Sequence, residues 1–217
     1  MDVDHLREVC DPVWQAILAH PFVTALGRGQ LTDEQFGYFI AQDYWYLQDF
    51  SLALTLAASR GSTPDQRRTL LAHATNVFSV EHDLHLRVAP ALHVDPKADA
   101  PGAVTLAYTN HLVRTAYTGS FSEIVAALLP CYVTYREIGK KLFADGLPEH
   151  QVAREWISTY QGNVYGEAVR ELEDIARMTD PRDVDEAKAV GLAYHRSMVY
   201  ERWFWDQAKR GRNVPGF

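Results

Sequence analysis

The chain has 217 residues, 47% of them hydrophobic, which is enough to enclose one sizeable core and speaks against intrinsic disorder. Its formal charge is −7 and its 21 basic residues are scattered, so it lacks the basic stripe that would neutralise a phosphate backbone, and nucleic acid is not expected as a partner. Only Cys10 and Cys131 are present, with no Cys-x-x-Cys pair, which argues against a disulfide framework or a thiolate metal site and leaves room for a catalytic thiol.

The opening Met1-Asp2-Val3-Asp4-His5 lacks the basic flank and apolar run of a signal peptide. No window approaches the ~20 apolar residues of a membrane span. A cytoplasmic protein with no membrane partner is expected. Apolar residues then recur with a period near 3.6: Leu6, Val9, Cys10, Val13, Trp14, Ile17 and Leu18 form one stripe, read as a first helix kinked at Pro12. His20 to Gln30 reads as a loop. Thr32 with Gln35 makes a capping-box pattern that opens a long helix to about Arg60.

A third helix is expected from Thr63-Pro64 to near Pro90, and a fourth from Pro101-Gly102. Ser120 with Glu123 caps a fifth that reaches Gly146. Two shorter helices cover roughly 149 to 161 and 164 to 178, and the last runs from about Val184 to Lys209. No stretch alternates with period two, and no repeat or Gly/Ser linker marks a boundary. The prediction is an all-α, single-domain bundle of about eight helices spanning residues 1 to 217.

Polar residues at core-like positions make the pattern specific. Asp43 and Tyr46 stand one turn apart on one face, between Phe39/Ile40 and Phe50. An acid there is costly to bury without a partner. The alternative is a solvated face for Asp43, with the tyrosines as packing anchors. Pro130 directly precedes Cys131 and is expected to kink or open its helix, letting the thiol face a cavity, with Tyr135 one turn further on the same side. The other reading of Cys131, and the preferred one for Cys10, is an inert small hydrophobe. Glu201 lies in an aromatic run from Met198 to Trp205. If buried it becomes a usable general acid near neutral pH; otherwise it is a surface partner of Arg202 or Lys209. Tyr108 and Tyr160 are lesser candidates which, taken singly, read as packing.

As an ordered set these segments resemble the TenA family, also called thiaminase II or aminopyrimidine aminohydrolase. The matching segments are His20-Pro21-Phe22, Gln42-Asp43-Tyr44 with Tyr46-Leu47, Tyr108-Thr109-Asn110-His111, Leu129-Pro130-Cys131-Tyr132 with Tyr135, Trp156-Ile157-Ser158-Thr159-Tyr160, and Tyr200-Glu201 with Phe204-Trp205. The resemblance implies a haem-oxygenase-like bundle, commonly a homotetramer, that needs no cofactor for its reaction. It implies Cys131 as nucleophile and Glu201 as proton donor. Asp43 would grip the amino group and ring nitrogen of an aminopyrimidine, and Tyr46 would hydrogen-bond and sharpen the thiol. Tyr108, Tyr135 and Tyr160 would line or close the pocket. The retained Cys131 places the chain with the cysteine-bearing branch, and the segment around Asp145-Gly146-Leu147-Pro148 is where such sequences differ most freely. Hydrolysis of a small-molecule aminopyrimidine or of thiamine, in thiamine salvage, is the implied activity.

Two other classes stay open on sequence. Glu81-His82-Asp83-Leu84-His85 places Glu81 and His85 one turn apart, with His195 distant, and suggests a metal-dependent oxidase or haem protein. The further Glu/His pairs of a four-helix carboxylate site are not found in the sequence. A non-catalytic aminopyrimidine-binding protein is the third reading, with Cys131 and Glu201 together arguing against it.

Overall fold

The structure is a computed structural model that describes residues 1–77 and 87–212. Among the described residues it contains ten α-helices and no strand: α1 (Val3–Val9), α2 (Asp11–Leu18), α3 (Pro21–Gly27), α4 (Asp33–Arg60), α5 (Pro64–Asn76), α6 (Ala103–Thr118), α7 (Phe121–Asp145), α8 (Gln151–Gln161), α9 (Asn163–Arg177) and α10 (Val184–Arg210). Three of them start as the sequence dictates. Thr32 with Gln35, Thr63 with Gln66, and Ser120 with Glu123 each form a complete capping box, satisfying backbone N–H groups that helix starts leave orphaned.

The count exceeds the expected eight for two local reasons. The first helix is two helices meeting at Cys10. Pro12 sits in the first turn of α2, where a missing N–H costs nothing, so the proline starts a helix instead of kinking one. The segment read as a loop contains α3. Its cap is His20, whose Nδ1 accepts from the Phe22 N–H at 3.1 Å, and Pro21 occupies the first helical turn. The ring's other nitrogen, Nε2, lies 3.2 Å from the Asp206 carboxylate and ties this entry to α10. The described part of α5 ends at Asn76, and the expected continuation toward Pro90 falls mainly on residues 78–86, outside the described residues.

Helix α7 runs unbroken from Phe121 to Asp145 through Pro130. The proline supplies no N–H to the turn before it. From α10, Ser197 Oγ donates to the Ala127 carbonyl at 2.7 Å, joining the two helices at that turn. The pair α7 and α10 forms the most extensive interface of the bundle; α4 packs on α5 and α6, and α8 on α7. The α7–α8 approach depends on Gly139: a Cβ there would lie 2.7 Å from the backbone of both Tyr160 and Gln161. At the centre, Phe39 of α4 stacks on Trp205 of α10 with centroids 5.1 Å apart, and Phe22 of α3 sits 5.7 Å from the same indole.

Candidate active site

Five helices converge on one buried cluster. From α4 come Asp43 and Tyr46, from α6 Tyr108, from α7 Cys131 and Tyr135, from α8 Tyr160, and from α10 Glu201, all of them buried. Glu201 organises the cluster. The Tyr108 hydroxyl donates to its Oε1 at 2.7 Å and the Thr134 hydroxyl to its Oε2 at 3.2 Å. Burial pushes the carboxyl up to about 7. The two hydroxyl donors pull it back down, and the nearby Asp43 charge adds to the rise. A carboxyl at that value is shared between its acid and its carboxylate near neutral pH, which suits a proton donor.

The Tyr46 hydroxyl interacts with the Cys131 thiol and the Tyr108 hydroxyl, without full hydrogen-bond geometry to a partner. Burial, and then the acidic neighbours, hold Tyr46, Tyr108 and Tyr135 well above the ordinary tyrosine value. These phenols therefore stay protonated and act as donors at any physiological pH. Asp43 lies close enough to act electrostatically on both Glu201 and Tyr135, so the two acids belong to one buried cluster. Tyr160 reaches the cluster through Tyr135, with ring centroids 4.9 Å apart. The seven residues singled out by sequence are thus brought together as one connected set.

Around them is a shell of aromatic rings. Tyr46 lies 5.0 Å from Tyr108, 5.3 Å from Phe50 and 5.8 Å from Phe204, centroid to centroid. Tyr135 is flanked by Trp205 at 5.4 Å and Trp156 at 5.7 Å. The indole N–H groups of Trp156 and Trp205 are buried with no hydrogen-bond partner among the described residues. Flat apolar walls with a few convergent polar groups match the surroundings that a small planar heterocycle requires. Chemically, the cluster offers a thiol, a neutral phenol beside it, a carboxyl able to give up a proton, and a second carboxyl to orient a ring.

Thr134 is the residue that sequence reasoning missed. It stands one turn beyond Cys131 on the same helix, a polar residue on an apolar stripe, and that spacing was the available signal. Other residues of the quoted segments do structural work. Gln42 accepts from the Gly102 N–H at 2.7 Å and from the Thr105 hydroxyl at 2.7 Å, anchoring the start of α6. Tyr132 packs toward α5 beside Phe50, its hydroxyl 3.1 Å from His73 Nδ1, while His73 Nε2 meets Glu171 at 2.9 Å.

The residues considered for a metal, Glu81 and His85, lie outside the described residues, and His195 is exposed on α10. Among the described residues no three His, Cys, Asp or Glu side chains are grouped to hold a metal ion. Nor is any helix among them long and apolar enough to cross a membrane.

Residues 7–211 match the model of the TENA/THI-4/PQQC family. A curated protein of Halalkalibacterium halodurans named aminopyrimidine aminohydrolase is 34% identical over 217 residues, covering 95% of this chain and 95% of its own. A crystallised TenA homologue protein from P. horikoshii OT3 superposes with a TM-score of 0.88 at 29% identity, over 97% of this chain and 99% of that one. A domain from Shewanella denitrificans OS217, described as having a haem-oxygenase-like fold, superposes with a TM-score of 0.75 at 13% identity over 100% of this chain and 99% of that one, so the two share that fold.

Proposed function

The chain belongs to the TENA/THI-4/PQQC family, and on that premise we propose that it is an aminopyrimidine aminohydrolase, using Cys131 as nucleophile and Glu201 as proton donor. The protein is a hydrolase. Its substrates are 4-amino-5-aminomethyl-2-methylpyrimidine and thiamine, and its product is the corresponding hydroxymethylpyrimidine, in thiamine salvage. The observation that carries this reading is the buried Glu201 carboxyl, poised near neutrality in the same cluster as Cys131, Tyr46 and Asp43.

The steps follow from the groups present. Asp43 takes the amino group and a ring nitrogen of the pyrimidine, fixing the ring within the aromatic walls. The Cys131 sulfur adds to a ring carbon while the Tyr46 hydroxyl hydrogen-bonds to it, stabilising the thiolate. Addition breaks aromaticity and places electron density on the ring nitrogens, where Glu201 donates a proton. The leaving group on the exocyclic methylene, ammonia or the thiazole half of thiamine, departs with the electron pair of its bond. Water adds at the methylene and its released proton returns to the Glu201 carboxylate; the ring nitrogen then gives up its proton to the sulfur as the carbon–sulfur bond breaks, so that Cys131 leaves as the thiol and aromaticity is restored.

A homotetrameric, cytoplasmic enzyme completes the proposal. Paired helices α6 and α10 expose Leu106, Tyr117, Leu192 and Trp203, a group of large apolar side chains that favours association. The reaction class is tested by incubating chelator-treated protein with each substrate and following hydroxymethylpyrimidine by chromatography. Turnover without metal is expected. Activity only after metal is restored would favour the oxidase reading, and ligand binding without product would favour a binding protein.

A further inference from the structure

From the geometry we infer that Thr134 is a positioning residue, clamping the Glu201 carboxyl against the helix that carries Cys131 so that its proton is held at the reacting ring. This deepens the aminohydrolase reading and rests on it for its kinetic consequence. Thr134 is 1% exposed and lies on the wall of α7, three residues beyond Cys131. Its hydroxyl oxygen lies 3.2 Å from Glu201 Oε2 and 3.4 Å from the Cys131 carbonyl oxygen, and its single proton goes to the nearer carboxyl acceptor. The hydroxyl therefore ties the Glu201 side chain on α10 to the stretch of α7 that carries Cys131. Tyr108 holds the other carboxyl oxygen at 2.7 Å from α6. With one donor on each oxygen, the carboxyl plane is fixed by three helices at once.

A carboxyl on α10 with a single anchor would rotate about its terminal bond, whose torsional preference is broad. The second anchor removes that freedom, and misplacement of a reacting group by about 1 Å costs on the order of 10²-fold in rate. The same hydroxyl also stabilises the carboxylate against burial, so its loss favours the protonated form. The groups that face Glu201 from the packed helices are Asp43 on α4, Tyr108 on α6 and Thr134 on α7, with Tyr46 and Tyr135 beside them. Of these, Asp43 raises the Glu201 carboxyl, in the same direction as the substitution.

Thr134→Val keeps the shape of the side chain and deletes the donor. The protonated-carboxyl stretch is followed by infrared titration, with Glu201→Gln as the reference that identifies the band. In Thr134→Val the Glu201 titration is expected to move upward by about one pH unit, and Thr134→Ser, which keeps the donor, is expected to return it. Kinetically, kcat should fall about tenfold in the valine variant with KM within about twofold, and the alkaline limb of the rate profile should follow the infrared titration. Should the valine variant fold poorly, Thr134→Ala removes the same donor with less steric demand and is read in the same way. An unmoved Glu201 titration in a folded donor-less variant overturns the inference, as does failure of serine to restore it. Because the infrared titration needs no turnover, an inactive wild-type protein would defeat the aminohydrolase reading while leaving the Thr134 result standing or falling on its own.

Discussion

At the scale of single residues, the account rests on Glu201 as an acid held near 7 by burial, and that has a cost in stability with a definite sign. An ordinary glutamate titrates at 4.5, so between 4.5 and about 7 the folded protein keeps a proton that the unfolded chain has released. Stability therefore falls as pH rises through that window, by up to about 3 kcal/mol above it. Glu201→Gln escapes this penalty. Its thermal unfolding should match wild type below pH 4.5 and exceed it at pH 8, while activity is lost; equal stability at both pH values would contradict a buried acid. For wild type, the rate limited by this proton donor should decline as pH rises through about 7. Tyr46 gives a second test. Its hydroxyl is buried without a full hydrogen bond, so Tyr46→Phe should be close to neutral for stability, within about 1 kcal/mol. The same change should slow turnover about tenfold or more and slow alkylation of Cys131 at neutral pH, both measured against wild type. The acids were legible because each places a carboxyl among apolar and aromatic neighbours, and Cys131 because Pro130 directly precedes it and its segment belongs to the resembling set. Thr134 was not, because a threonine inside a buried helix reads equally well as packing, and only its partner across the bundle gives it a role.

At the scale of elements, capping chemistry made the long helices legible. Thr32 with Gln35 and Ser120 with Glu123 state where α4 and α7 begin, and those two helices carry four of the seven candidate residues. The short elements were hidden for a physical reason. Histidine is an uncommon cap, so α3 with its His20 cap passed for a loop, and Pro12 at a helix start was taken for a kink inside one. Tyr160 is a lesser candidate on sequence and gains its pocket role only through the resemblance, and the structure supplies a physical basis for its position in Gly139, where α7 and α8 touch backbone to backbone. A methyl group at that point meets main-chain atoms that cannot yield by changing a rotamer. Gly139→Ala should therefore push α8 outward, cost about 1–3 kcal/mol in denaturant unfolding, and weaken substrate binding through displaced Tyr160 and Trp156. An alanine variant with unchanged stability and KM would show that the close approach does not position the pocket.

At the scale of the whole molecule, the fold class was readable from periodicity alone, since a 3.6-residue pattern sustained along most of the chain leaves little room for a sheet. Assembly was not, because a helix face exposed in one chain carries the same apolar residues whether it meets solvent or a second copy. The exposed Leu106, Tyr117, Leu192 and Trp203 give the proposed tetramer a testable surface. Light scattering should return four times the chain mass, and Trp203→Glu should lower it. A wild-type mass of one chain would contradict the tetramer without touching the chemistry. The proposed chemistry depends on a candidate nucleophile on α7, a candidate acid on α10 and a carboxyl on α4 that are brought into one buried cluster, and in that proposal Cys131 is the group whose removal the rest cannot replace. Formation of hydroxymethylpyrimidine from 4-amino-5-aminomethyl-2-methylpyrimidine by wild type and by folded Cys131→Ser, compared side by side, is the most direct test. The account requires rapid product from wild type and a loss on the order of 10³-fold or more in the serine variant; comparable rates from both would contradict it.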